Sequence, residues 1–364
     1  MRSQHNLHRV PFSSKLALGI ALGSLSLTAF SQSGVTLFGV ADLGARVVTN
    51  SAGTTQRMYS GNNSTSRWGM RGEEDLGGGM KVGFWLESTV NLTDGTTTSS
   101  QFFDRRSTLS FSGRFGEVRL GRDYTPAFRG YGTTEVFDFS GSASMITLFN
   151  GSASTVLKRA FGGKTSSNGR ANGAVQYFTP NTLGGFNLSA MYANSGEGSV
   201  SGDFDYKGLR VGYENGPWNV TAFGGVTNIK SVGENYRIRG AAINYRTGGA
   251  KLVAGVVDMR YFDSRQTNYT VGAVWPFGLH QIKATWHHIN QAGSNTTGGS
   301  IGRDDADLFA LGYVYNLSKR TALYGTLAYL KNKGRASFGI TGGAPGAEPG
   351  STSHSYELGL RHTF

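Results

Sequence analysis

An alternation of apolar and polar residues with a period of two constrains this fold more than any other feature of the sequence. It is clearest at the carboxyl end, where one face of an extended strand takes Tyr356, Leu358, Leu360, His362 and Phe364, and the other takes Glu357, Gly359 and Arg361. Such alternation is typical of a β-strand with one apolar face. The pattern therefore predicts strands rather than helices as the main elements.

The alternation predicts sixteen strands. We place them near 35–49, 65–73, 80–91, 103–114, 116–124, 170–179, 186–194, 206–214, 218–227, 236–246, 250–260, 268–275, 279–289, 306–316, 321–331 and 354–364. Tight turns alternate with longer polar connections at roughly 50–64, 92–102, 195–205, 261–267, 290–305 and 332–353. A Gly-Gly turn leading into a strand recurs at 76–86, 183–192 and 247–257, which indicates a repeated hairpin with no helix between copies.

The first 31 residues have the composition of a secretory signal peptide. Arg2, Arg9 and Lys15 form a positive segment, an apolar run follows from Leu16 to Phe30, and Ser31 completes a small-x-small cleavage site. We expect cleavage between Ser31 and Gln32, which changes the net charge from +12 to +12 − 3 = +9. Beyond this segment no apolar run approaches the roughly 20 residues that a membrane helix needs.

An even number of antiparallel strands, with short turns at one end and long loops at the other, is typical of an outer-membrane β-barrel. Closure is the way for a sheet to pair all of its backbone groups in lipid. We therefore predict an all-β fold, a 16-stranded antiparallel transmembrane barrel occupying residues 32–364 as a single domain. Aromatic residues near the short turns, Phe178, Phe186, Trp218, Trp275 and Phe364, are expected to form an interfacial girdle.

One connection departs from this pattern. Between Gly121 and Arg170 the chain runs for more than forty residues without a clear period, and connections of this length are most often functional. The segment is rich in aromatic residues and carries two acids, Glu135 and Asp138, in an otherwise basic chain. We expect residues 125–169 to fold into the barrel as a constriction loop.

Several runs resemble the trimeric general-diffusion porins of Gram-negative outer membranes. They are SGVTLFGVADLG (33–44), SRWGMRGEEDLGGGMKVGFWLE (66–87), RRSTLSFSGRFGEVRLGRDYTPAF (105–128), NLSKRTALYGTLAYLKNK (316–333) and LGLRHTF (358–364). The resemblance covers almost the whole chain after the signal peptide. It implies a sixteen-stranded trimeric pore whose third external loop bends inward and narrows the lumen.

The resemblance also implies site residues. Porins of this family place arginines on the lumen wall opposite acids on the infolded loop, which here gives Arg67, Arg106, Arg122 and Arg170 against Glu135 and Asp138. The RRST pair leaves Arg105 open beside Arg106, although alternation with Leu109 favours Arg106. Alternation places Arg122 in phase with Leu120, so that assignment requires a bend at Gly121. Tyr356 and Phe364 would form the terminal signal read by the barrel-insertion machinery.

The implied function is passive diffusion of small hydrophilic solutes and ions through the outer membrane, with a preference for small anions and no catalysis, cofactor or metal. The implied partners are a homotrimer, outer-membrane lipid and lipopolysaccharide, and the insertion machinery. Nucleic-acid binding is disfavoured because the arginines are scattered through strands.

Two other classes stay open at this point. A barrel hydrolase would need Ser and His together, and His354-Ser355 is the nearest candidate, whereas adjacent His287 and His288 point to opposite faces of a strand. An adhesin or receptor could use the long loops, and that role does not exclude a pore.

Overall fold

The computed structural model describes residues 34–97, 101–149, 153–162, 169–194 and 203–364. The predicted signal peptide at 1–31 lies outside these residues, as do parts of the predicted constriction loop. No helix within the described ranges is long and apolar enough to cross a membrane.

The described chain forms seventeen β-strands and two short α-helices. The strands are β1 (Val35–Asn50), β2 (Gly53–Ser60), β3 (Arg67–Gly77), β4 (Met80–Thr89), β5 (Arg106–Gly113), β6 (Gly116–Tyr124), β7 (Arg170–Phe178), β8 (Phe186–Ala193), β9 (Asp205–Asn215), β10 (Trp218–Ile229), β11 (Glu234–Thr247), β12 (Ala250–Tyr261), β13 (Ser264–Phe277), β14 (His280–Ala292), β15 (Ala306–Asn316), β16 (Thr321–Asn332) and β17 (Thr352–Thr363). The helices, α1 (Pro126–Tyr131) and α2 (Thr155–Phe161), both lie between β6 and β7.

The strands make a closed antiparallel barrel with sixteen positions in its wall. Both β2 and β3 pair with β1, through 43–50 with 53–60 and through 35–40 with 67–72, so they are two halves of one interrupted wall strand. Each later strand pairs with the next, and β17 pairs back with β1 from Val40↔Thr363 to Thr49↔His354. The sixteen-stranded barrel predicted from the alternation is confirmed.

The barrel is apolar outside and polar inside. Leu358 is 70% exposed, Trp275 65% and Leu37 61%, while inward residues such as Glu357 and Gln266 are buried. This inversion of the usual soluble pattern is typical of strands with one face toward lipid. Alternation along each strand thus places one set of side chains in lipid and the other in the lumen.

Four of the five aromatic residues predicted for the girdle are exposed on the outer face at the short-turn end: Phe186, Trp218, Trp275 and Phe364. The prediction for Phe178 is wrong. Tyr177 takes the outward position, and Arg119 and Arg129 lie over the Phe178 ring at 4.4 and 5.2 Å.

Connections at the long-loop end vary more than the sequence predicts. The expected loops at 50–64 and 261–267 are mostly strand, because β1 and β2 are joined by residues 51–52 and β12 and β13 by residues 262–263. The missed strand, β2, is polar on both faces and has no apolar alternation to reveal it. The longer connections are 90–105, 125–169, 194–204, 293–305 and 333–351.

The interruption between β2 and β3 turns into the barrel, where Asp42 of β1 holds it. The Asp42 carboxylate accepts hydrogen bonds from the backbone N–H groups of Asn62 (3.1 Å), Asn63 (3.1 Å) and Ser64 (2.8 Å), and from the hydroxyl of Tyr324 (2.5 Å). A single buried carboxylate thereby satisfies three N–H groups that left the sheet. We call residues 61–66 the inward turn.

Replacing Asp42 with Asn should destabilise the barrel. One oxygen becomes an amide donor, so two donors lose their acceptor at a cost of roughly 1–3 kcal/mol each. We expect a lower temperature for the mobility change between folded and unfolded forms on SDS gels. Glu74→Gln, at an exposed acid of the same sheet, serves as the control, and equal transition temperatures for the two variants would contradict this account.

Candidate functional site: a constriction between the infolded loop and the wall

The loop between β6 and β7 lies inside the barrel and packs against one side of its wall. Helix α1 begins after Thr125, whose hydroxyl accepts a hydrogen bond from the Phe128 N–H (3.1 Å), with Pro126 in the first turn. Its Gly130 lies directly against Phe223 of β10, where a Cβ would collide with the ring. The close approach therefore requires glycine at this position.

Aromatic residues hold this loop in place. The Tyr124 and Phe128 rings stack at 4.5 Å, Phe128 and Phe139 at 4.4 Å, and Tyr131 and Phe149 at 5.0 Å. Helix α2 adds a second apolar contact with the wall, because its buried side chains join the same cluster as inward residues of β11 and β12. Apolar packing fixes the loop against β10–β12 and, through residues such as Phe137 and Leu148, against β14–β16.

On the other side of the loop an open cavity of about 630 Å³ lies against β1, β3, β4 and β7. Its charged lining residues are Arg67, Arg71, Glu87, Arg105, Asp138 and Arg170. Four arginines thus face two acids, which gives the cavity lining a formal charge of 4 − 2 = +2. Arg67, Arg170 and Asp138 belong to the set named from the sequence; Arg71, Arg105 and Glu87 were missed as lining residues or left open.

Glu87 is the acid at the centre of the arginines. Its carboxylate lies 2.5 Å from Arg105 Nε and 3.5 Å from Arg67 Nε, and it accepts a hydrogen bond from the Trp85 indole N–H (2.9 Å). Alternation along β4 places Glu87 on the lumen face with Trp85. The alternation along β4 is the sequence signal that could have identified Glu87. It places this acid on the inner face of the barrel, opposite Arg106 of the next strand.

Arg71 and Trp85 form a second feature that the sequence analysis missed. The Arg71 guanidinium lies over the rings of Trp85 (4.9 Å) and Phe38 (5.4 Å), and Arg106 lies over the same Trp85 ring at 4.5 Å. Cation–π contacts of this kind hold guanidinium groups flat while leaving their N–H edges free for other partners. Arg71 shares the inward phase of Arg67, which is the signal that could have identified it.

Arg106 faces inward, as its alternation predicted, next to the cavity. Its Nε lies 3.7 Å from Asp123, which also binds Arg119 (2.5 Å) and Arg129 (2.8 Å). Arg105 lies just before β5 and lines the cavity itself. Both arginines of the RRST pair therefore lie inside the barrel, Arg106 on the inner face of β5 and Arg105 just before that strand.

Arg122 does not join this group. A bulge between Gly121 and Asp123 is present, but the Arg122 guanidinium donates to the Asp104 carbonyl (2.7 Å) and to Asn172 Oδ1 (2.6 Å). These contacts tie neighbouring strands together. Arg122 is therefore not among the residues that line the cavity, and its part in the constriction stays a prediction.

Glu135 lies within the loop and does not line this cavity. Its carboxylate accepts hydrogen bonds from Phe137 N–H (2.8 Å), Met145 N–H (2.9 Å) and the Ser144 hydroxyl (3.2 Å), all within the loop. Burial raises the pKa of the Glu135 carboxyl, and the hydrogen bonds oppose that rise. Glu135 holds the loop in shape, whereas Asp138 is the loop acid at the cavity.

Asp138 is positioned by a strained backbone and by the inward turn. Its φ of 55° lies in the left-handed region, which is uncommon outside glycine. The Ser64 hydroxyl donates to Asp138 Oδ2 at 2.5 Å, and the hydroxyls of Thr65 and Ser140 lie 3.0 Å apart. The inward turn thus holds the loop acid in position through Ser64, and the inward turn is itself held by hydrogen bonds to Asp42.

The arrangement does not support the hydrolase alternative. His354 lies beside Tyr356 on the outer face, with ring centroids 5.9 Å apart, while Ser355 is buried on the inner face. His287 is buried between Thr270 and Thr285, and His288 contacts Asp307 on the outer face, so the adjacent histidines point apart as predicted. Among the described side chains, no group of three or more His, Cys, Asp or Glu could hold a metal ion.

The two residues expected to form the assembly signal lie on the outer face of β17 or at its end. Tyr356 is 54% exposed and Phe364 is 48% exposed. The backbone of Phe364 pairs with Gly39 of β1 in both directions, at 3.0 and 3.1 Å. Its ring covers Gly39, where a Cβ would collide with it.

Comparisons with known proteins agree with this architecture. A sequence profile described as Gram-negative porin matches residues 17–335. Outer membrane porin protein 32 of Delftia acidovorans is 36% identical over 96% of this chain and 99% of its own length. A porin of Bordetella pertussis is 25% identical over 76% of this chain and 79% of its own length. A solved structure described as an anion-selective porin from Comamonas acidovorans has a TM-score of 0.79 and 34% identity, covering 92% of this chain and 100% of the other.

The two loop acids should differ in their effect on ion selectivity. Asp138→Asn removes a charge at the cavity surface and should strengthen any anion preference, measured as a shift in reversal potential across a salt gradient. Glu135→Gln leaves the cavity lining unchanged and should lower thermal stability instead, because amide N–H atoms would face backbone N–H donors. Equal selectivity shifts in the two variants would show that Glu135 reaches the ion path.

Proposed function

The chain belongs to the family of Gram-negative porins, and from that premise we propose that its pore prefers anions to cations. Membership makes it an outer-membrane channel for the passive diffusion of small hydrophilic solutes and ions. Porins are channel proteins rather than enzymes. The proposal therefore concerns which sign of ion the pore prefers and which residues produce that preference.

The observation that carries the proposal is the excess of arginines around the cavity beside the infolded loop. Charges that line a narrow passage bias which ions enter it. At physiological salt the Debye length is about 8 Å, so charges beyond the constriction are largely screened. The similar porin from Comamonas acidovorans is described as anion-selective, which supports the same sign here.

Four of the predicted site residues, together with Arg71, have a proposed part in this filter. Arg67 and Arg71 would attract the passing anion, and Arg106 would extend the positive wall beyond the cavity. Arg170, which donates to the Tyr124 hydroxyl (2.5 Å) and the Arg105 carbonyl (2.9 Å), would contribute charge while holding the wall. Asp138 would oppose them from the loop and set a field across the passage.

Export and assembly complete the proposal. An N-terminal signal peptide, cleaved after Ser31, would take the chain to the periplasm. Tyr356 and Phe364 would then be read by the barrel-insertion machinery. Lipopolysaccharide and other outer-membrane lipids would contact the outer wall of the inserted barrel.

We expect a homotrimer, which the resemblance to trimeric porins implies. A closed sheet offers detergent no frayed edge, so the oligomer should resist SDS until it is boiled. Mass measurement of unheated protein tests this expectation. Migration at about the monomer mass before heating would remove the trimer from the proposal.

The filter itself can be tested by a double substitution. Arg67→Ser with Arg71→Ser reduces the formal charge of the cavity lining from +2 to 2 − 2 = 0, so the anion-to-cation permeability ratio should fall to about one. Lys331→Ser with Lys333→Ser removes the same charge at the long-loop end and should leave the ratio near that of the wild type. Reversal potentials in planar bilayers give both ratios. A cation-preferring wild type, or equal shifts in the two variants, would overturn the proposed filter.

A further inference from the structure

The cavity that holds the arginines is also lined by apolar side chains. Phe38 and Trp85 line it from the barrel wall, and Phe139 and Ile146 line it from the infolded loop. Binding sites for small molecules combine apolar and aromatic lining with a few charged or polar groups. Three of these four side chains are aromatic, and small inorganic ions gain nothing from such contacts. The lining therefore fits a solute that combines a negative charge with an aromatic ring.

Ile146 is the exposed apolar side chain on the loop side of the cavity. It is 40% exposed, whereas its neighbours Met145 and Leu148 are 2% and 1% exposed. Ile146 and Phe139 also line a second cavity of about 470 Å³, which extends along β2. A solute that moves from one cavity to the other therefore passes both side chains.

The loop backbone presents Phe139 in a strained conformation. Asp138 and Phe139 are consecutive, with φ values of 55° and 53° in the left-handed region, where a bulky residue is a rare outlier. Strain of this kind persists where surrounding contacts hold it, and it is common at ligand sites. Here the Phe139 ring stacks on Phe128 at 4.4 Å, and Ser64 holds Asp138. The strained pair thus brings one acid and one aromatic ring to the cavity together.

On the wall side, Arg71 supplies a guanidinium that already lies on aromatic rings. Its cation–π contacts are with Trp85 and Phe38, and these two rings meet edge to face with 5.0 Å between their centroids. Among the residues that the structure describes, Arg71 is exposed and has no hydrogen-bond or salt-bridge partner for its side chain. Its N–H edge is therefore open to a carboxylate, which can accept two hydrogen bonds from one guanidinium.

We infer that the passage binds aromatic carboxylates in preference to other anions of the same charge. The carboxylate pairs with Arg67 and Arg71 in turn. The ring moves from Ile146 and Phe139 on the loop to Phe38 on the wall, and ring pairs add attraction beyond the apolar area that they bury. The inference rests on the proposed anion filter and adds the class of anion that this filter suits.

Benzoate is the probe for this site, added to the intact protein in planar bilayers bathed in potassium chloride at neutral pH. A bound benzoate should obstruct the chloride current. Half-block should need about fivefold less benzoate than acetate, because an aromatic contact of ordinary strength changes a dissociation constant by roughly that factor. Cyclohexanecarboxylate carries the charge without a flat ring, and benzyl alcohol carries the ring without the charge, so both should block less well than benzoate. Equal block by benzoate and any one of these three compounds would overturn the inference.

Two loop variants test the apolar contacts without changing any charge. Ile146→Ser and Phe139→Leu should each raise the half-block concentration of benzoate several-fold, while acetate block changes much less. Ile146 is exposed and leucine retains bulk against Phe128, so both barrels should fold and keep the heat-dependent mobility of the wild type on SDS gels. Val232→Ser is the matched control, at a 58% exposed apolar residue in the turn between β10 and β11, and benzoate should block it as it blocks the wild type. Unchanged benzoate block in both loop variants would contradict the inference.

Failure of this inference and failure of the proposed filter give different results. Reversal potentials in a gradient of potassium chloride report the filter, whereas the ratio of benzoate block to acetate block reports the aromatic site. A wild type that prefers chloride to potassium yet binds benzoate no better than acetate contradicts the aromatic site alone. A wild type that prefers potassium contradicts the filter and, with it, the premise of this inference.

Discussion

Every backbone N–H and C=O group within the hydrocarbon of a membrane needs a partner inside the protein, and this structure depends on that constraint. Pairing of β17 with β1 removes the last free edge of the sheet. In the described chain, one wall strand is interrupted between β2 and β3, where the inward turn leaves the sheet. The N–H groups of this turn, which have no partner in the sheet, donate hydrogen bonds to the carboxylate of Asp42. A side chain therefore supplies the partners that the sheet does not.

The closed barrel has apolar side chains on its outer face and many polar side chains on its inner face. The infolded loop packs against the inward side chains that are apolar. Many inward positions are polar, but Phe223, Ile238 and Met259 on β10–β12, with Ile289, Leu308 and Leu330 on β14–β16, make a broad apolar area. The loop covers this area with the aromatic residues of α1 and the segments that follow it. The arginine-bearing side of the wall stays open beside it, so the position of the cavity follows from where the wall is apolar.

The loop acid and the wall arginines are connected through a short chain of contacts. Asp42 holds the inward turn, Ser64 of that turn donates to Asp138, and Asp138 shares a cavity with Arg67 and Arg170. A residue of β1 that does not itself line the cavity therefore helps to position the loop acid. On the outer wall, by contrast, a charged side chain is tolerated only where the wall lies near the membrane interface.

The sequence by itself determined the barrel, since a period of two over sixteen segments specifies which side chains face lipid once the sheet closes. The same phase was sufficient for the inward position of Arg106. It missed β2, whose two polar faces carry no alternation, and it assigned Phe178 to the wrong face. The same alternation places Glu87 and Arg71 on the inner face, although neither belongs to the family motif that names the other site residues.

Tertiary structure alone decided which of the charged residues share one space. Glu135 and Asp138 are three positions apart and chemically alike, yet loop hydrogen bonds bury the first and a contact with Ser64 exposes the second to the cavity. Arg122 lies in a bulge between Gly121 and Asp123, and no periodicity could predict the direction of its side chain. Alternation is a local property of a strand, whereas the constriction is made by contacts between residues far apart in the chain, and only the folded barrel brings them together.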